Sequence, residues 1–230
     1  AAQSDAAHTM LEASTMSGPG WTSILTGVDA SKHNVWSNGA YEGRDTAYPS
    51  FSWRAKHLLG LSTVASIQWT DIYDIYEDDA LDVAYSGNME EVADQMSGAL
   101  RSGLHDVHFV HLDDVDGAGH GHGFYASVPE YVEAVHRADA LIGELLDAVL
   151  HRPNIADEEW LIVVTSDHGG QGTSHGCMEP DCQTIPLIFA GASISAETFG
   201  DGASSHMDIA PTVLDFLGLN PDEHVYDGVS

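Results

Sequence analysis

The chain has 230 residues, with 36 acidic and 7 basic side chains and a formal charge of −29. A surface this acidic repels nucleic acid and anionic membranes, which excludes both as partners. The length allows one domain or two small ones. No stretch approaches the ~20 apolar residues of a membrane span. The opening AAQSDAAHTM has neither the basic start nor the apolar middle of a signal peptide. The acids are dispersed, as in Glu90, Glu91 and Asp94, so they read as a solvated face. With lysine reduced to Lys32 and Lys56, the balance suits a salt-rich habitat.

In chain order, SGPGWTSILTG reads as a short helix closed by Gly27, and FSWRAKHLLG as a helix ending at Gly60. STVASIQW is rich in strand formers. NMEEVADQMSGALRSG is an amphipathic helix, and DVHFVHL a strand. The longest helix starts near Pro129, with Val132, Val135, Ala138, Leu141, Leu145 and Val149 as its buried stripe. EWLIVVTS is a continuous apolar strand of the kind covered on both faces. TIPLIFAG is another strand. SHMDIAPTVLDFLG is a closing helix with Pro211 in an early turn and Gly218 as its stop. Strands alternating with helices predict an α/β fold, a three-layer α/β/α sandwich on a mostly parallel central sheet. Ligands in such folds sit beyond the carboxyl ends of the strands.

Two strands end in groups that bind metals. After DVHFVHL, Asp116 and His120 flank Gly117-Ala118-Gly119, a small-residue turn that lets a carboxylate and an imidazole converge. After EWLIVVTS come Asp167 and His168, with His175 just beyond. Taken singly, such residues are more often caps, turn formers or satisfied core groups. Two clusters, each directly after an apolar strand, favour a catalytic zinc with an open position. Upstream, Ser17 precedes a helix start, where anions are favoured. It is a nucleophile candidate, and by local signal alone the N-cap. Cys177 and Cys182 are either a local disulfide or two free thiols.

Assembled, these stretches resemble the alkaline phosphatase superfamily, nearest its type I phosphodiesterase/nucleotide pyrophosphatase branch. The resemblance rests on Ser17-x-Pro19 leading to Thr26-Gly27, then His33 and Asn38; on DGAGH; on SDHG; and on a later His-Gly before a strand containing proline. It implies two zinc ions, with magnesium or manganese as alternatives. Asp116, His120 and His175 match the ligands of one, and Asp167, His168 and the Ser17 oxygen match ligands of the other. Asn38 matches the residue that holds a phosphoryl oxygen. The implied activity is hydrolysis of a small phosphate ester through a phosphoseryl intermediate, with an extracytoplasmic setting. His206 is the runner-up to His175, His122 flanks the site, and His105, His108 and His111 read as structural.

The chain departs from the family at its start. The family has a first strand, well upstream of the nucleophile, that ends in an Asp ligand. No apolar strand precedes Ser17, and the spacing of Asp5 is wrong. The expectation is one domain over residues 1–230, N-terminally short, without that strand and ligand and compensated by pairing with another chain, such as a homo-oligomer. The competing class is a degenerate, non-catalytic metal-binding member of the same fold. Trp21 stands where sulfatases carry arginine, Arg44 and Arg54 are conceivable phosphate contacts with surface roles favoured, and a phosphomutase would need a cap domain.

Overall fold

The computed structural model describes residues 2–3, 14–196, 204–220 and 225–230. Asp5 lies outside them. A two-residue β1 (Ala2–Gln3) is followed by α1 (Ser17–Thr26), α2 (Ala30–His33) and α3 (Phe51–Leu59). Next come β2 (Thr63–Ile67), β3 (Val83–Ser86), α4 (Met89–Ser102), β4 (Val107–His111), α5 (Asp114–His122) and α6 (Pro129–Leu150). Then follow β5 (Ile162–Thr165), α7 (Pro180–Gln183), β6 (Thr184–Ile185), β7 (Leu187–Ala190) and α8 (Ile209–Phe216). β3 and α2 carry little sequence signal and were not expected. Pro186 divides the expected TIPLIFAG strand into β6 and β7, because proline lacks a ladder N–H.

Local chemistry fixes the helix ends. Asn88 and Glu91 form a reciprocal capping box at the start of α4, each bond 2.9 Å. The Ser50 hydroxyl caps α3 by accepting from the Trp53 N–H. Met16, not Ser17, is the N-cap of α1. The Ser17 hydroxyl is therefore free of a capping role.

The central sheet is parallel, ordered β3-β2-β4. The other strands pair antiparallel, β5 with β7 and β1 with β6. Successive residues of β2 point to opposite sides. Val64 packs with Met96, Leu100, Ala148 and Val149 of α4 and α6. Ala65 and Ile67 face the larger core of Trp21, Ile24, Phe51, Ile72 and Leu214. Fully burying a side chain the size of Val64, Ile67 or Leu214 contributes roughly 1.5–3 kcal/mol. Helices thus cover both faces, as the α/β/α expectation requires.

Two burial expectations fail. β5 is only half-buried at all four residues, whereas β2 is buried throughout. On α6, only Val149 of the expected stripe is fully buried, and Val135 is 41% exposed. Both elements border the same open cleft, so apolar periodicity there marks a wall and not a closed core.

Candidate metal centre

The carboxyl ends of β4 and β5 deliver the polar groups. After β4 the chain turns directly into α5. The Asp116–His120 pair is therefore one turn of helix and not the glycine turn expected from sequence. Spacing of four places both on one face, with His120 Nε2 3.4 Å from Asp116 Oδ2. After β5 come Asp167 and His168, 8% and 7% exposed. Gly20 of α1 lies against them, for a Cβ there would sit 3.0 Å from Asp167 Cβ and backbone oxygen. Its missing side chain is what lets α1 bring Ser17 close. Ser17 Oγ is 3.2 Å from His168 Nε2. The Gly18 N–H donates to Asn38 Oδ1 at 2.7 Å, which fixes Asn38 beside the same helix start.

The three histidines are oriented alike. Each Nδ1 faces a backbone carbonyl: His120 that of Thr173 at 3.0 Å, His168 that of Gly169 at 2.9 Å, and His175 that of Thr15 at 2.9 Å. A carbonyl only accepts, so each Nδ1 carries the proton and each Nε2 presents a bare lone pair. Those lone pairs point at acids. His168 Nε2 is 3.3 Å from Asp167 Oδ2, and His175 Nε2 is 3.9 Å from Asp116 Oδ1. Asp167 Oδ2 and Asp116 Oδ1 are buried and lack a hydrogen-bond donor. Acceptor facing acceptor calls for a cation between them. Carbonyl-anchored Nδ1 groups are also how ligating histidines are held. The donor set therefore fits a divalent metal of the zinc type.

Ligand atoms of Asp116, His168 and His175 all lie within 4.8 Å of one another. This grouping differs from the sequence expectation, which set His168 apart from Asp116 and His175. The His168 and His175 rings are stacked at 3.9 Å, so the two expected sites merge at their border. Negative charge accumulates there. Burial, then Asp116, Asp167 and Asp114, push Asp113 up to about 6. Burial, and then the neighbouring His168, lower the His175 pKa, which keeps the ring a neutral ligand.

All seven sequence-predicted site residues come together here. Thr15 and Phe124 were missed. Thr15 is 2% exposed; its carbonyl accepts from His175 and from the Gly176 N–H, and its hydroxyl donates to the Cys177 carbonyl. Cys177 is disulfide-bonded to Cys182. The Phe124 ring lies edge-on to His120 and His175, at 5.5 and 6.4 Å. Other candidates go elsewhere. His122 is exposed, His206 is fully buried in the turn before α8, and Trp21 packs edge-on against Phe109 and His111. Arg44 is buried against Glu77 and is not a surface residue, and Arg54 stacks on Tyr226. No helix among the described residues is long and apolar enough to cross a membrane.

Comparison with known proteins gives the same class. The 2,3-bisphosphoglycerate-independent phosphoglycerate mutase of Desulforudis audaxviator (strain MP104C) is 28% identical over 120 residues, 50% of this chain and 21% of that protein. Arylsulfatase K of Rattus norvegicus is 30% identical over 94 residues, 39% of this chain and 16% of the relative. A 2-O GAG sulfatase superposes with a TM-score of 0.66 at 14% identity, covering 95% of this chain and 64% of its own. The phosphonate monoester hydrolase of Silicibacter pomeroyi gives 0.64 at 15% identity, over 93% of this chain and 66% of its own. At such identity the structural likeness shows the fold alone. The chain spans only about a fifth of the first curated mutase it matches. A family model described as Metalloenzyme superfamily matches residues 71–221, more than half of the chain. The chain belongs to this Metalloenzyme superfamily, the alkaline phosphatase-like fold whose members are hydrolases and mutases of phosphate and sulfate esters.

Proposed function

We propose that the chain is a metal-dependent hydrolase of small phosphoric esters, with Ser17 as nucleophile. The observation that carries this is Ser17 Oγ at 3.2 Å from His168 Nε2, on the edge of the Asp116, His168 and His175 cluster. Asp116, His120 and His175 would hold one ion, and Asp167 and His168 a second, zinc being the metal that best suits imidazole and carboxylate together. Bound metal would act as a Lewis acid, favouring the serine alkoxide and the departing oxygen. The chain's own groups do the rest. Ser17 Oγ attacks phosphorus in line, its proton leaving to solvent, because the His168 Nε2 lone pair would be taken up by the metal. The ester's leaving oxygen departs opposite, and Asn38, tethered to the Gly18 N–H, positions a phosphoryl oxygen. Water then attacks the phosphoseryl ester and restores the hydroxyl.

The test is hydrolysis of bis-p-nitrophenyl phosphate and p-nitrophenyl phosphate, with p-nitrophenyl sulfate alongside, before and after chelation. Turnover of a phosphate ester that needs metal, and that falls about a thousandfold or more in Ser17→Ala with metal binding retained, is the expected result. Metal-loaded protein inactive on both phosphates refutes the proposal. A second reading is a degenerate, non-catalytic metal-binding member of the fold. It is favoured by the single three-ligand cluster among the described residues. Metal content separates the two: about two zinc per chain supports the hydrolase, and one or none the degenerate form. An extracytoplasmic, salt-rich setting belongs to the same proposal, consistent with the disulfide.

A further inference from the structure

Two open strand edges face one cleft. Among the described residues, β4 is the last strand of its sheet, and β5 pairs only with β7. No backbone ladder joins β4 to β5 among the described residues. Between them lies a cleft of about 980 Å³, bordered by residues 107–112 on one side and 161–165 on the other. Helices close its two faces. Val135, Ile142 and Val149 of α6 form one apolar wall, and Trp21, Phe51 and Val213 from α1, α3 and α8 form the opposite one. Both strands aim their carboxyl ends at the metal centre, where ligand atoms of Asp116, after β4, and His168, after β5, lie within 4.8 Å of each other. They therefore run in the same direction.

A strand edge presents N–H and C=O groups that need partners. Two such edges, with apolar helical walls above and below, have the shape of a doubly covered sheet with one strand removed. The half-exposure of all of β5, and the 41% and 38% exposure of Val135 and Leu146, have the same cause. An acyl chain would cover the walls and leave both backbone edges unpaired. Only an extended polypeptide meets both needs.

We infer that this cleft is a β-strand acceptor. An uncharged apolar segment of about five residues, ~16 Å long, inserts parallel to β4 and β5 and joins the two half-sheets. Its backbone supplies the hydrogen bonds, and its alternate side chains enter the two helical walls. The segment comes from polypeptide outside these 230 residues. The stretches beyond the described residues, 4–13, 197–203 and 221–224, nowhere hold more than two large apolar residues in succession. The inference does not depend on catalysis by Ser17.

The probe is a soluble peptide of alternating valine and isoleucine between lysine pairs. Its control is the same peptide with two central prolines, which keeps charge and apolarity but cannot pair as a strand. Titration calorimetry uses metal-free protein at physiological salt. We expect one-to-one saturation, at least tenfold tighter than the control, and slowed hydrogen exchange at residues 107–111 and 162–165. Ile142→Asp and Val213→Asp should each weaken binding at least tenfold, while Leu104→Asp, at a 73% exposed position, leaves it unchanged. Should the aspartate variants not fold, the proline control and the exchange pattern decide alone. Equal binding of the proline peptide overturns the inference, as does saturable binding of oleate without binding of the peptide. A free protein that is dimeric by sedimentation, with both strand edges already protected, also overturns it by assigning the cleft to a second copy.

Discussion

Acidification tests whether the two inner histidines of β4 are neutral structural groups. Burial holds both His108 and His111 at about 4, and the nearby Arg152 and His105 add to the effect at His108. Neither ring nitrogen of His108 has a hydrogen-bond partner, while His111 Nδ1 accepts from the Trp69 N–H at 3.3 Å. In the unfolded chain each titrates near 6.5. Between pH 6.5 and 4 the unfolded state binds protons that the folded state refuses. Each histidine therefore contributes stability that is complete above pH 6.5, falls as pH drops towards 4, and is constant below that. At 1.36 kcal/mol per unit, the loss is at most about 3 kcal/mol per histidine. The pair together approaches the lower end of a domain's net stability, ~5–15 kcal/mol. The charge of −29 acts the other way, since protonating carboxylates relieves self-repulsion. A single unfolding curve mixes the two effects, but a difference between variants separates them. His108→Leu removes an unpartnered polar ring, so it should be neutral or stabilising at pH 7. Measured by urea unfolding, it should then gain up to about 3 kcal/mol over the parent by pH 4. Parallel stability curves for parent and variant across pH 6.5 to 4 would refute the reasoning.

Other outcomes follow from the same geometry. A Cβ on Gly170 would meet the Phe124 ring at 2.4 Å. Gly170→Ala should therefore cost about 1–3 kcal/mol of stability, and weaken zinc binding in competition with a chromogenic chelator by shifting the ring beside His175. Replacing Cys177 and Cys182 by alanine opens a loop with a sequence separation of 5. Loop entropy puts the loss at about 2 kcal/mol in thermal unfolding, and an unchanged melting temperature would count against it. Zinc at a hundred times its dissociation constant should stabilise the fold by about 2.7 kcal/mol. Chelation should reverse that, and Asp116→Asn should abolish most of it.

The polar ends of two strands were legible in the sequence because an apolar run that stops on Asp and His is a local pattern. So were the helices with clear caps, such as α4. The link between Asp116 and His120 was misjudged for a physical reason. Gly117 and Gly119 argue for a turn by propensity, yet the chain continues as helix, and helical spacing of four aligns the two ligands. Thr15 was invisible for another reason. Its main role is played by a backbone carbonyl, which every residue type carries. The common Nδ1 anchoring of His120, His168 and His175 is likewise a property of backbone placement. The half-burial of β5 escaped notice because periodicity records what a strand could bury and not which neighbour is present to bury it.

The acidic composition and the metal centre are linked by the same electrostatics. A chain of −29 has no spare cation to place among Asp113, Asp116 and Asp167, and Asp113 answers by holding its proton up to about 6. Lysine or arginine there would quench the carboxylates permanently. A dissociable divalent ion neutralises them while leaving coordination positions open to an anionic ester. The same ends of β4 and β5 that carry these acids border the open cleft. A strand seated in that cleft would hold the two ends in fixed register, so strand insertion should tighten metal binding, and metal should tighten the strand by the same factor.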